Sequence, residues 1–93
     1  MTAFIVGDFN ACMNRSSLFG RELRSVCDDN GLILSDVQLL NNNSFTFLCE
    51  AHHTTSRLDH CISTPIGHQR INSMKVDYSL QSSDHFPLIF SVL

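Results

Sequence analysis

The 93-residue sequence predicts one α/β (α+β) domain with mostly antiparallel strands and one main helix. Two observations support this fold class. Short apolar runs bounded by turn residues recur along the chain, and one longer segment places its apolar residues at helical spacing. The predicted strands cover residues 2–6, 32–37, 45–49, 57–62, 71–80 and 87–93, and the predicted helix runs from about 14 to 29.

Composition and charge restrict the class of protein. With 43% apolar and 16% charged residues, the chain is globular rather than disordered. The net charge of −3 has the wrong sign for a stand-alone nucleic-acid binder, but it is compatible with an enzyme that gathers carboxylates around a metal. No apolar run approaches ~18 residues, and Met1–Asp8 has no basic region or cleavage pattern. We therefore expect an intracellular protein without signal peptide or membrane span, in the nucleus or the cytoplasm.

Local signals fix the ends of the first elements. The first strand ends at Gly7-Asp8-Phe9-Asn10 and delivers Asp8 and Asn10 into a loop, where they serve chemistry or close an Asx turn. Asn14–Ser17 supplies N-cap residues, and Asn30-Gly31 is a C-cap signal. The apolar residues expected on one packed side of the helix are Leu18, Phe19, Leu23, Val26 and Cys27. The arginines expected on its solvated face, or on a phosphate backbone, are Arg15, Arg21 and Arg24.

The strands at 45–49 and 57–62 are predicted to form a hairpin with a wide polar loop that contains His52–Thr55. Alternation places Arg57, Asp59 and Cys61 on one face of the second strand. Asp59 is therefore an acid in mid-strand, and a buried carboxylate is costly unless it is paired. Asp59 needs a partner, and Pro65–Gly67 is expected to turn the chain after this strand.

The polar cluster Ser83-Asp84-His85 precedes the last apolar run, so it is expected on a loop at the end of a strand, as a site or as a simple turn. The cysteines have no C-x-x-C spacing and are expected to be reduced and mostly buried. A zinc site is not favoured, because alternation places His60 and Cys61 on opposite faces.

Three motifs now stand in order along the chain. Gly-Asp-Phe-Asn at 7–10, Ser-Arg-Leu-Asp-His at 56–60 and Ser-Asp-His-Phe-Pro-Leu at 83–88 resemble the last three motifs of the endonuclease/exonuclease/phosphatase superfamily. The stretch at 45–60, with 13 residues from Thr46 to Asp59, resembles the apurinic-type endonuclease domain of LINE-type (non-LTR) retrotransposons. The resemblance implies that residues 1–93 are the C-terminal half of a DNase I-like, four-layered α/β sandwich.

The resemblance also implies a role for each position. Asp8 would orient and deprotonate the attacking water, and Asn10 would hold that water or the scissile phosphate. Thr46 and Ser83 would donate hydrogen bonds to phosphate oxygens. His85 would donate to a non-bridging oxygen, with Asp59 orienting its ring, and Asp84 would help to hold Mg²⁺ or Mn²⁺. An Asp bonded to the far nitrogen of His fixes its tautomer, which also gives Asp59 its missing partner.

The superfamily pattern includes an N-terminal half with an early Asn, a metal-binding Glu and a Tyr or similar phosphate contact, which we cannot place in this sequence. The resemblance therefore implies a truncated DNA endonuclease with weak metal binding and little or no activity as a lone fragment. It also implies an uncovered sheet face that binds the missing N-terminal half or self-associates. Two alternatives remain: a non-catalytic remnant that acts as a binding module, and a phosphodiesterase acting on a non-nucleic-acid phosphoester.

Overall fold

A computed structural model of the chain describes residues 1–13, 17–79 and 84–93. The strands are β1 (Phe4–Asp8), β2 (Ile33–Leu34), β3 (Phe47–Cys49), β4 (Thr54–Ser56), β5 (Asp59–Ser63), β6 (Ile71–Val76) and β7 (Leu88–Val92). The helices are α1 (Leu18–Asp29), α2 (Ser35–Leu39) and α3 (Pro65–Arg70). This is the mixed α/β class with antiparallel strands that the sequence predicts.

Strand β5 is the centre of the fold. It pairs with β1 on one side and with β2 on the other, giving a three-stranded sheet in the order β1-β5-β2. The β1–β5 register places Asp8 opposite Asp59. Two further antiparallel pairs, β3–β4 and β6–β7, complete the described strands. Because β5 is covered on both edges, residues along it are held on two sides at once.

The caps of α1 agree with the sequence signals. The Ser17 hydroxyl accepts a hydrogen bond from the Gly20 backbone N–H at 3.0 Å, and the helix ends at Asn30, before Gly31 with φ of 64°. Residues 14–16, which the sequence also offers as N-cap residues, lie outside the described residues.

The predicted packing of α1 is largely wrong. Cys27 is buried and Leu23 packs partly against the core. The other three apolar residues of the expected face are more than half exposed: Leu18, Phe19 and Val26. Phe19 and Val26 lie two turns apart, so they share one face of the helix. That exposed face is available for a further contact.

The predicted strand at 32–37 is only the two-residue β2, and the chain continues as α2. Tertiary bonds override the strand propensity of this apolar run, because Asp36 lies in the first turn of α2 and reaches β5 from there. The fifth predicted strand ends at Val76, and residues 77–79 form a turn before the region that is not described.

The predicted hairpin is also wrong. Strand β3 pairs with β4, which lies inside the stretch expected to be a polar loop, and β5 pairs elsewhere. A 3₁₀ turn at Glu50–His52 followed by His53 with φ of 49° closes this tight connection. The expected turn at Pro65–Gly67 is instead the start of α3. The Thr64 side chain caps this helix by accepting from Gly67 N–H, and proline favours the first helical turn.

The centre of the fold contains as many polar as apolar side chains. Cys27, Leu34 and Ile62 form the apolar cluster. The buried polar or charged residues are Ser35, Asp36, Thr46, Arg57, His60 and Ser63. All four cysteines are free, and three are buried, as expected. Hydrogen bonds must therefore hold much of this core, since a buried polar group without a partner is costly.

The central polar group is the Asp36–His60 pair. Both side chains are fully buried, and His60 Nδ1 lies 2.7 Å from Asp36 Oδ2. His60 Nε2 lies 2.6 Å from the carbonyl oxygen of Ala11. Burial by itself would lower the pKa of His60, but the hydrogen bond and charge of Asp36, with the Ala11 carbonyl, outweigh it and raise the pKa. The pair therefore retains a proton that the unfolded chain releases near pH 6.5.

The raised pKa of His60 predicts that stability falls as pH rises from about 6.5 toward 8, by up to about 1.4 kcal/mol per pH unit. In this window the folded chain binds more protons than the unfolded chain, so the slope is negative until pH passes the folded pKa. Buried Cys27 and Cys61, whose pKa values are also raised, contribute only above that window. Urea unfolding from pH 5.5 to 8 measures the slope. His60→Phe serves as the comparison and should show a flatter profile; a steeper or equal slope in that variant contradicts the assignment.

Candidate active site at the β1–β5 edge

The segment that carries His85 is attached to β3. His85 forms an antiparallel bridge with Phe47, and the backbone N–H groups of Leu48 and Phe86 donate to the carbonyls of Asp84 and Thr46 at 3.0 and 2.8 Å. The rings of Phe47 and His85 lie 5.0 Å apart. These contacts fix residues 84–86 beside the sheet and turn the imidazole toward the ends of β1 and β5.

Asp8, Asp59 and His85 form one cluster. His85 Nδ1 lies 3.0 Å from Asp59 Oδ2, which is a hydrogen bond, and His85 Nε2 lies 3.7 Å from Asp8 Oδ2, which is too long for one. Asp59 is mostly covered, whereas Asp8 and His85 are 50% and 37% exposed. The pairing orients the ring from its covered side and leaves its other nitrogen facing Asp8 and solvent.

The two carboxylates are direct cross-strand neighbours, since Asp8 is paired with Asp59. Like charges directly opposite one another on a sheet are destabilising. A cation or a proton between them relieves that repulsion, and the imidazole of His85 is the group that the fold provides. The site is therefore electrostatically prepared for positive charge.

Asn10 lies next to this cluster on the loop that follows β1. Its backbone N–H donates to Asp8 Oδ1 at 2.8 Å, and its φ is 50°. This is an Asx-type turn of the kind that Asn tolerates. The turn occupies one oxygen of Asp8 and keeps the exposed Asn10 beside the carboxylate.

Thr46 has a different environment from the one implied by the resemblance. Its side chain is fully buried, and its hydroxyl oxygen accepts from the backbone N–H groups of Leu58 and Asp59 at 3.0 and 3.1 Å. These bonds hold the chain at the start of β5. In this structure Thr46 supports the backbone of Asp59, and its proposed hydrogen bond to phosphate stays a prediction.

The predicted metal ligand and the observed cluster differ. Asp84 is exposed, and Ser83 lies outside the described residues. Within residues 1–13, 17–79 and 84–93, one group of potential ligands lies close enough to share an ion, namely Asp8, Asp59 and His85, whose ligand atoms are all within 4.8 Å of one another. Two carboxylates and an imidazole are a donor set that suits a divalent ion. His60 and Cys61 are not part of this group.

Sequence reasoning missed the buried side of the site. Asp36, Arg57 and His60 form a buried charged group, in which Asp36 Oδ2 lies 2.7 Å from His60 Nδ1 and 3.7 Å from Arg57 Nε. His60 follows Asp59 directly in β5. Arg57 Nη2 has no hydrogen-bond partner among the described residues. The available signal was a second acid, Asp36, inside an apolar run, together with two cationic residue types flanking Asp59.

A pocket of about 340 Å³ lies beside this buried cluster. Arg57, Phe45, Ser44 and Ser56 are among the residues that line it. The rings of Phe45, Tyr78 and Phe86 contact one another, with centroids 4.8 to 5.7 Å apart. Phe45 belongs to both the pocket lining and the aromatic cluster, so the two lie next to each other.

The arrangement has the parts needed for phosphoester hydrolysis. An exposed carboxylate can accept a proton from water, and an oriented imidazole can donate to an oxygen that gains charge. A divalent ion would add further charge stabilisation.

No helix in the described part of the chain is both long and apolar enough to cross a bilayer.

Comparisons with known proteins identify the fold and the family. The solved structures include a 3′ phosphatase, NExo, from Neisseria, bound to a product DNA hairpin, which matches with a TM-score of 0.77 and 18% identity. The match covers 98% of this chain and 45% of the other, so the chain spans less than half the length of that structure. A search of curated proteins finds no match. The model of the Endonuclease/Exonuclease/phosphatase family matches residues 1–85, and the chain therefore belongs to that family.

Proposed function

We propose that the chain is the C-terminal half of a metal-dependent DNA endonuclease domain that cleaves a phosphodiester with an activated water. The observation that supports this function most directly is the Asp8–His85–Asp59 cluster, which joins all three sequence motifs at one edge of the sheet. The similarity to a phosphatase bound to a DNA hairpin supports DNA as the substrate.

In this mechanism each side chain has one task. Asp8 accepts the proton of the attacking water, and Asn10 holds that water or the scissile phosphate. His85 donates from Nε2 to a non-bridging phosphate oxygen, while the hydrogen bond from Nδ1 to Asp59 keeps its ring in place. Thr46 and Ser83 are proposed to contact phosphate oxygens, although Thr46 also supports Asp59 from inside the fold.

Mg²⁺ or Mn²⁺, when bound, supplies positive charge that stabilises the phosphate oxygens. We assign Asp84 to the ion from the sequence motif, and the carboxylates of Asp8 and Asp59 lie close enough together to attract it. In this mechanism both ring nitrogens of His85 are used as hydrogen-bond donors, so His85 is not a ligand. The family's metal-binding Glu has no counterpart in this sequence. We therefore expect weak metal binding and slow turnover from this chain alone.

The stretch at 45–60 supports a retrotransposon origin of the LINE type. The intracellular location predicted from the sequence is kept as part of the proposal. The β3–β4 hairpin ends in His52 and His53, which are exposed and available to contact DNA. Two alternatives stand beside this proposal. One is a non-catalytic interaction module, for which the net charge of −3 argues against DNA as the partner, and the other is a phosphodiesterase of the same family that acts on a non-nucleic-acid phosphoester.

Nicking of supercoiled plasmid DNA with Mg²⁺ or Mn²⁺ tests the mechanism. We expect slow nicking by the wild-type chain, abolished by a chelator. Asp8→Asn and His85→Gln should each reduce the rate by about 10²–10³, because each removes one catalytic group at nearly constant shape. A bis-nitrophenyl phosphate assay run in parallel separates DNA cleavage from general phosphodiesterase activity.

Asp29→Asn is the matched control for Asp8→Asn. Asp29 is exposed at the end of α1, so the substitution removes the same charge away from the cluster. It should leave the nicking rate within about twofold. Equal nicking by Asp8→Asn and wild type would refute the mechanism, and wild-type protein that neither nicks DNA nor cleaves the small ester would favour the non-catalytic alternative.

Metal binding can be measured without activity. Mn²⁺ should broaden the NMR signals of the His85 ring before those of the exposed His52 and His53, because the cluster of carboxylates attracts the ion. Asp8→Asn should weaken the affinity of the cluster for Mn²⁺ by roughly tenfold, since it removes one negative charge. Equal broadening at all three histidines would mean that the cluster does not hold the ion.

We also propose that the chain binds the missing N-terminal half or self-associates through an uncovered sheet face, and the exposed apolar face of α1 offers a second apolar surface for such a contact. Phe19 and Val26 are each 54% exposed on this face. Sedimentation velocity should show concentration-dependent association that Phe19→Ser weakens and Leu39→Ser, at a similarly exposed site on α2, does not. A wild-type chain that stays monomeric at high concentration would count against self-association.

A further inference from the structure

Strand β5 carries two successive residues with different partners. Asp59 bonds His85 in the cluster, whereas the next residue, His60, faces the buried side and bonds Asp36. The proposed mechanism uses Asp59 and makes no use of His60. A fully buried imidazole with a partner at both ring nitrogens needs an explanation, because its burial is otherwise costly.

The second partner of His60 connects it to the catalytic loop. The Ala11 carbonyl is only an acceptor, so His60 Nε2 carries the hydrogen and donates it across 2.6 Å. Ala11 is 1% exposed and follows Asn10 directly. At the other end of the same loop, Phe9 N–H donates to the Leu58 carbonyl at 3.0 Å.

These two bonds enclose Asn10. Its backbone is in the left-handed region, with φ of 50°, and its N–H donates to Asp8 Oδ1. A non-glycine residue keeps such a conformation when its surroundings determine it. The Phe9 and Ala11 bonds provide that restraint on either side, and the Ala11 bond depends on His60.

We infer that His60 is a positioning residue for Asp8 and Asn10: through the Ala11 carbonyl, it holds the Asx turn that presents both side chains at the site. Asp36 fixes the imidazole from the opposite side at 2.7 Å and is itself held by the Cys61 N–H at 2.9 Å. The role in the reaction depends on the proposed function, but the positioning of the loop can be tested without it.

Two amide variants separate positioning from a simple core role. In His60→Gln the amide nitrogen reaches the place of Nε2 and can still donate to Ala11. In His60→Asn the shorter amide reaches the place of Nδ1 and can still donate to Asp36, but it loses the contact with Ala11. Both variants remove the same ring and are neutral, so they differ in the contact retained and in one methylene group.

The chain contains an internal reference for the loop. Asn43 N–H donates to Asn41 Oδ1 at 2.8 Å in an exposed turn of the same i to i+2 type as Asn10 N–H to Asp8 Oδ1. His60 has no bond to that turn. Amide hydrogen exchange of Asn10, divided by that of Asn43, therefore reports the restraint on the catalytic loop and cancels global effects.

We expect the Asn10 amide of the wild-type chain to exchange about tenfold more slowly than that of Asn43, since one buried bond restrains it. His60→Asn should bring the ratio near one, and His60→Gln should retain most of the protection. Where nicking is measurable, kcat should fall about tenfold further in His60→Asn than in His60→Gln, with KM within about twofold.

Equal exchange of Asn10 and Asn43 in the wild-type chain would overturn the inference, and this measurement needs no variant to fold. It would also be overturned if both variants lost protection and activity in proportion to their stability in urea, because that is the behaviour of a core residue. A wild-type chain that neither nicks DNA nor cleaves the small ester counts against the proposed function, while the Asn10 exchange ratio still decides whether His60 positions the loop.

Discussion

The buried carboxylate of Asp36 is the constraint on which the rest of the structure depends. Its oxygens accept from the Cys61 N–H and lie 2.7 Å from His60 Nδ1, and Arg57 lies alongside. A buried charge costs several kcal/mol unless it is paired with good geometry. Its partners come from β5 and the segment before it, so the position of α2 and the position of β5 depend on each other. The apolar cluster is small, and this polar contact supplies the specificity that a larger core would otherwise provide.

The register of β5 then determines the chemistry. Asp59 and Asp8 become cross-strand neighbours, so two carboxylates face each other near solvent. The Thr46 hydroxyl oxygen accepts from the Asp59 backbone N–H. The segment that carries His85 is bonded to the backbone of Thr46 and Leu48, on either side of Phe47. The imidazole is thus placed between two acids by backbone bonds, which explains why short motifs far apart in sequence meet at one point. Repulsion between the acids makes a cation a favourable third component.

Capping rules predicted the ends of α1 correctly, whereas the predicted β3–β5 hairpin and the predicted turn at Pro65–Gly67 were wrong. The caps of α1 follow from Ser17 and Asn30-Gly31, and the need of Asp59 for a partner follows from the cost of a lone acid in a strand. The pairing of β3 with β4 depends on the left-handed His53, which no alternation pattern reveals. The motifs named Asp8, Asp59 and His85, which the fold brings together. The pairing of Asp36 with His60 joins residues 24 apart in sequence, which no motif within a single segment reveals.

The contrast between the two Asp–His pairs explains how a short chain can specify a site. Asp59–His85 is partly exposed and able to meet a substrate, while Asp36–His60 is fully buried and meets only the protein. A solvent-facing hydrogen bond between charged groups contributes little to stability, so the exposed pair cannot hold the fold by itself. The buried pair lies one residue away on the same strand and is far less screened. Adjacent residues of β5 therefore face different environments: His60 holds the buried Asp36, and Asp59 holds the solvent-facing ring of His85.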